Sequence, residues 1–217
     1  MSLHFNNDLS YRILELYFEM DRQTSEFQSR TGLQCPPGCG QCCESSMAGA
    51  TVLELLPAAQ ELFSRGEARQ WLERIASIRK NERCVFYHPD PLIPGNGRCE
   101  LYLLRPSVCR LFGFTAMENK DGEIELMTCR RQKKENSFSV KVAQEAILSG
   151  ISAPSFGYFF LQIATLQHSL GRQRLPINQA LQLALERYGV TIQLMEVNGQ
   201  RAREKEGDSN LKNLSCN

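Results

Sequence analysis

Nine cysteines stand out in this chain of 217 residues, and eight of them fall between positions 35 and 129. Four crowd into Cys35-Pro-Pro-Gly-Cys39-Gly-Gln-Cys42-Cys43. Within that run Cys39-Gly-Gln-Cys42 has the spacing of a chelate: two intervening residues let both sulfurs turn toward one ion, and Gly40 permits the tight turn beneath it. Cys35 can complete a third corner. Cys43 points away from Cys42 in most backbone geometries, so both thiolates on one tetrahedral ion would be awkward, whereas neighbouring metals or a polynuclear cluster could use both. The adjacent pair also argues against a disulfide, which would need a strained ring.

Cys84, Cys99, Cys109 and Cys129 form a second set, spaced too widely for one turn but suited to loops that converge on the first. Eight thiols fit two tetrathiolate ions or one cluster with spares. Zinc is commonly held by four Cys or His ligands and iron-sulfur clusters prefer four thiolates, so ligand type leaves zinc and iron both open. The competing reading is burial, because free cysteine is among the most buried residue types. It weighs little against the 35–43 run and more against Cys84 and Cys129. Cys216, in the tail, has no expected role.

Arg105-Pro-Ser-Val-Cys109-Arg110 puts two guanidinium groups around a thiol. Arg105 and Arg110 are therefore the candidate cofactor-binding side chains, able to donate hydrogen bonds to a metal-held thiolate, with a surface salt bridge as the alternative. His88 is the only histidine inside the cysteine region and reads more readily as a polar loop residue than as a ligand. His168 is expected to be structural. Arg130-Arg-Gln-Lys-Lys134 reads as a solvated turn rather than a phosphate site.

Composition narrows the classes. Twenty-five Lys and Arg against 24 Asp and Glu leave a net charge of +1, which gives no strong signal for nucleic acid or an anionic membrane. The start of the chain lacks the basic and apolar run of a secretory signal, and no stretch reads as membrane-spanning. A reducing cytoplasm is the expected location, where clustered thiols serve as metal ligands or redox groups more often than as disulfides. Nucleotide-binding and hydrolase motifs of the common kinds are absent from the sequence. A protein partner is the remaining expectation.

The elements that must position these residues are mostly helical, an α+β arrangement with one small hairpin. Apolar residues recur helically from Asp8 to about Arg30, with Leu9, Ile13, Leu16, Tyr17, Met20 and Phe27 inward and Gly32 as the stop. Thr51-x-x-Glu54 is a possible capping box; Pro57 suits a first turn, one helix reaches Arg65, and another runs from Glu67 to Lys80 with Trp71, Ile75 and Ile78 inward. Prolines and glycines between Cys84 and Gly97 predict a loop. Leu111 to Met117 and Glu123 to Thr128 predict strands around Asn119-Lys-Asp-Gly122. Helices follow from Ser137 to Ser149, from Pro154 to Gly171, and from Pro176 until Gly189. One domain is expected over 1–197, with the cysteine region at about 33–130, C-terminal helices at about 137–190 and a flexible tail over 198–217.

In order and spacing, Cys35-x3-Cys39-Gly-x-Cys42-Cys43, Cys84, Cys99 and Arg105-Pro-x-x-Cys109-Arg110 resemble the YkgJ-like cysteine-cluster family of zinc- or iron-chelating proteins. The resemblance covers roughly residues 35–129. It implies metal chelation by Cys35, Cys39, Cys42, Cys43, Cys84, Cys99 and Cys109, with Cys129 as an eighth member. A related cysteine domain in flagellin lysine N-methylases makes an iron-sulfur-dependent enzyme, with protein methyl transfer as its reaction, the catalytic alternative. A thiol-redox or metal-trafficking protein is a third.

Overall fold

A computed structural model describes residues 2–45, 48–78 and 83–214, with side chains between residues 8 and 198. The first helix, α1 (Ser2–Thr31), begins earlier than the apolar pattern required and ends where Gly32 adopts φ +67°. Its expected inward stripe is buried at Leu9, Ile13, Tyr17, Met20 and Phe27, with Leu16 half-buried.

The capping box after the cysteine run is formed in full. Thr51 Oγ1 accepts from the Glu54 amide at 3.2 Å, and Glu54 Oε2 accepts from the Thr51 amide at 2.8 Å. It opens a single 3-10 turn, Leu53–Leu55, that runs into α2 (Leu56–Ser64) with Pro57 in the first turn. Helix α3 (Ala68–Ser77) buries Trp71 and Ile75, but Ile78 is already extended, and Lys80 lies outside the described residues.

Short antiparallel pairs tie the rest together. Strand β1 (Gly49–Thr51) pairs with the distant β6 (Arg174–Pro176), a contact no local pattern announced. The stretch expected to be loop holds a hairpin instead: β2 (Tyr87–Pro89) pairs with β3 (Gly97–Cys99). Proline is tolerated there because Pro89 stands at the strand's last position, opposite Gly97. The second hairpin forms where expected, with strands shortened to β4 (Ala116–Glu118) and β5 (Ile124–Leu126). Leu111, expected to open the first of these strands, instead ends helix α4 (Ser107–Leu111), which carries Cys109.

The C-terminal half is helical. After α5 (Arg130–Glu135) come α6 (Ser137–Leu148), α7 (Phe156–Leu166), α8 (His168–Gly171) and α9 (Ile177–Leu214). Residues 154–171 thus form two helices, broken at Gln167, whose own side chain caps the second. Gly189 does not stop α9. A Cβ there would lie 3.0 Å from Phe63 Cζ, so glycine lets α9 run close to α2, where Phe63 and Tyr188 stack with ring centroids 5.3 Å apart. The tail expected from residue 198 continues this helix to Leu214.

One core lies between α1, α2, α7 and α9, filled by Ile13, Tyr17, Leu53, Leu62, Phe159 and Leu181. A smaller one lies under the β4–β5 hairpin and α6, around Phe27, Leu33, Phe114 and Ala143. Cys84 belongs to the rim of the main core, with Cys43, Cys99 and Cys109 packed against it. No helix among the described residues is long and apolar enough to cross a membrane.

Candidate metal centre

The cysteine loops are held by backbone bonds, glycines and one ring. Gly40 donates to Gly95 O at 2.8 Å, and Gly97 to Gly38 O at 2.9 Å, joining the 35–43 run to the start of β3. Tyr87 is wedged between these strands and donates its hydroxyl to Asn96 O at 2.7 Å. A Cβ on either Gly40 or Gly97 would sit 2.3 Å from the Tyr87 ring. Gly40 is therefore needed for close approach of the ring rather than for a left-handed turn. The backbone of Cys84 donates to Cys43 O at 3.3 Å and brings the second set onto the first.

Two adjoining hollows result, with Cys42, Cys43, Cys99 and Cys109 in the walls of both. The inner one is nearly closed, about 20 Å³, walled by Cys42, Cys43, Cys84, Cys99 and Cys109 and backed by Phe86, Leu101 and Ile177. The outer one, about 700 Å³, lies between these loops and the α1 face carrying Asp21, Thr24 and Gln28; Cys35 and Cys39 line it together with Cys42, Cys43, Cys99 and Cys109. Thr24 Oγ1 and Arg105 Nε are buried there without a hydrogen-bond partner among the described residues.

The adjacent pair departs from expectation. Cys42 Sγ and Cys43 Sγ are 4.0 Å apart and both face the two hollows, because the chain turns tightly between Gly40 and Glu44. The pair shares a hydrogen bond, which with the thiol of Cys43 as donor lowers Cys42 to about 7 and raises Cys43. Burial pushes Cys84 up to about 12 and also raises Cys99 and Cys109. Cys35, exposed at the mouth, is likewise raised to about 12 by the burial of its inner side and by the neighbouring Cys39, Cys42 and Cys129 sulfurs.

Cys129 reaches the group through a residue sequence reasoning passed over. Gln132, fully buried, donates its amide to Cys129 Sγ at 3.3 Å and its Nε2 to Cys35 Sγ at 3.8 Å. Cys129 is the N-cap of α5, and the Gln132 side chain accepts from its backbone at 3.2 Å, a capping box with a thiol in the serine position. The basic run is thus not only a solvated turn. Arg131 also donates to Asn96 Oδ1 at 2.7 Å, close by Cys39. A Cys-x-x-Gln spacing was the available signal.

The two arginines separate. Arg110 is buried, and its guanidinium bonds to the carboxylate of Asp21, to Leu103 O and to Arg105 O, the last at 2.7 Å, while lying 4.2 Å from the Tyr17 ring centre. Its donors go to the fold rather than to a thiol, since a buried guanidinium must satisfy its N–H groups. Arg105 faces the sulfurs: its charge favours the thiolate forms of Cys35, Cys42, Cys99 and Cys109, and its ion pair with Asp21 is a loose 3.9 Å. His88 turns outward to Glu100, 2.5 Å away. His168 opens α8 and meets Arg172 at 3.3 Å. Cys216 lies outside the described residues.

A buried tie links this centre to the frame. Glu54 Oε1 accepts from the Ser107 amide at 2.9 Å and from the Ser107 hydroxyl, fixing the start of α4 and with it Cys109. Tyr17 donates to Glu54 O at 2.6 Å.

The donor set suits a thiophilic ion: the inner wall offers sulfur and no carboxylate. Among the described residues no three Cys, His, Asp or Glu side chains are yet drawn together at ligand distance, and burial favours the protonated thiols. Closing on an ion would release those protons. The family model of the CxxCxxCC domain, described as a "putative zinc- or iron-chelating domain", matches residues 34–137. Over that stretch, just under half of its length, the chain is similar to this cysteine-cluster family. Its first gap holds three residues, Pro36-Pro37-Gly38, where the family's name shows two. No curated protein and no solved structure matches the chain.

Proposed function

We propose that the protein chelates zinc or iron through Cys35, Cys39, Cys42, Cys43, Cys84, Cys99, Cys109 and Cys129, with Arg105 offsetting the charge of the thiolates. The observation that carries this is the inner hollow, where cysteines from four separate stretches of chain wall one enclosed space. Only burial as inert core thiols competes, and inert thiols have no reason to converge from segments so far apart in sequence. A reducing compartment such as the cytoplasm would keep them free. In this reading the ion holds together loops that have little apolar core of their own.

Anaerobic purification with elemental analysis tests it. Cys42→Ser should lower bound metal and melting temperature together, and a variant keeping full occupancy and the parental melting temperature would overturn the assignment.

The outer hollow favours a second reading, because about 700 Å³ beside the thiols is far more than an ion needs. There an iron-sulfur centre would serve an enzyme that brings a small molecule against it, methyl transfer being the reaction the family resemblance suggests. A brown preparation that binds S-adenosylmethionine by calorimetry supports it, and a colourless zinc protein with no such heat removes it.

A further inference from the structure

The two hollows differ in size and walls: four of the thiols line both, Cys84 only the inner one, and Cys35 and Cys39 only the outer one. We propose that the eight cysteines form two metal sites of unequal exchange: an inner, retained site on Cys43, Cys84, Cys99 and Cys109, and an outer, exchangeable site on Cys35, Cys39, Cys42 and Cys129. The proposal rests on the metal-chelating reading and adds the number of sites, their ligands and their kinetics.

Three observations carry it. First, Cys84 lines the inner hollow alone, whereas Cys35 and Cys39 line the outer one alone. A single centre using all of them would have to cross the seam. Second, Gln132 joins Cys35 and Cys129 by donating to both sulfurs, at 3.8 and 3.3 Å, and neither of these lines the inner hollow, which gives the outer set a scaffold of its own. Third, Cys42, Cys43, Cys99 and Cys109 stand in the walls of both hollows; Cys99 and Cys109 lie close to Cys84, so Cys42 and Cys43, 4.0 Å apart, are the pair the two sides can share out. Four sulfurs per side is the usual complement of a tetrathiolate ion.

Access follows from volume. The inner hollow, about 20 Å³, has room for little more than one atom-sized occupant, since a single water needs about 10–15 Å³. Phe86, Leu101 and Ile177 close it from behind, so a chelator reaches it only when the chain opens locally. The outer hollow of about 700 Å³ has the exposed Cys35 at its mouth and admits a small chelator to the folded protein.

The test loads the full chain anaerobically with zinc alone, counts zinc per chain by elemental analysis, and follows its transfer to excess 4-(2-pyridylazo)resorcinol by absorbance. Two ions per chain are expected, leaving in two phases of equal amplitude, the slow one at least about tenfold slower. Cys35→Ser should remove the fast phase and one ion while the slow phase and the far-ultraviolet circular dichroism persist. Cys129→Ser should do the same, which guards against a local folding fault at either position. One ion per chain, a single phase for both ions, or loss of both ions in each variant would overturn the two-site arrangement while leaving chelation standing. A chain that takes up no zinc or iron would overturn chelation itself.

Discussion

The helical frame and the cysteine region are built on different physics. In the frame, α1, α2 with the turn before it, α7 and α9 bury Ile13, Leu53, Leu62, Phe159 and Leu181, and dispersion and apolar burial hold them in register. Around the cysteines, outside α2 and α3, the elements between Cys35 and Cys129 are three to five residues long, and what fixes them is a wedged tyrosine and a few backbone bonds. The difference teaches where metal belongs in the energetics. A frame that closes on its own can carry loops that do not, provided rigid ties connect the two. Glu54 and Ser107 are one such tie, and Arg110 with Asp21 is another.

The comparison breaks at the frame first. Phe159→Ala removes a fully buried ring and should cost about 3–5 kcal/mol in urea denaturation, while metal per folded chain stays at the parental value. If metal content fell while the frame stayed folded, frame and centre would not be separable as described. Glu54→Ala comes next. It strands the amides of Thr51 and Ser107 and should cost about 2–3 kcal/mol, with metal affinity falling too because α4 positions Cys109. A stability loss with unchanged affinity would show that the tie serves the frame alone.

Gly40→Ala sharpens the account of the loops. Its Cβ would meet the Tyr87 ring at 2.3 Å, an overpacking worth about 1–3 kcal/mol, and the loss should shrink when Tyr87→Ala is added. Equal losses in both backgrounds would refute the wedge. The smallest effect is expected at His88→Ala, because an exposed pair with Glu100 is worth at most about 1 kcal/mol. Zinc content should not change, and a fall would return His88 to the ligand set.

Periodicity and punctuation made much of the frame legible. The inward stripe of α1, the capping box at Thr51 and Glu54, the separation of α2 from α3 and the turn at Asn119–Gly122 are local events, decided within a few residues. Gly189 misled for the same reason. Read locally it is a helix stop, yet what it serves is Phe63 on another helix. The hairpin of β2 and β3 was hidden by prolines whose cost vanishes at a strand end. Within the centre, the spacing of Cys39 and Cys42 and the clustering of eight thiols were visible at once. The reach of Gln132 to Cys35 and the parts played by Arg131 and Arg110 were not, since each depends on a partner between 35 and 97 positions away.

By itself, then, the order of residues determined the chemistry available: soft sulfur donors in quantity, a chelate spacing, a helical chain to carry them, and a likeness to a cysteine-cluster family. Only the folded chain decided which sulfurs wall an enclosed space, which a wide one and which both, and which arginine looks toward them. The reason is physical. Thiol identity and short spacings are properties of neighbouring residues, whereas enclosure is a property of surfaces that meet only after α1, the hairpins and α9 have packed.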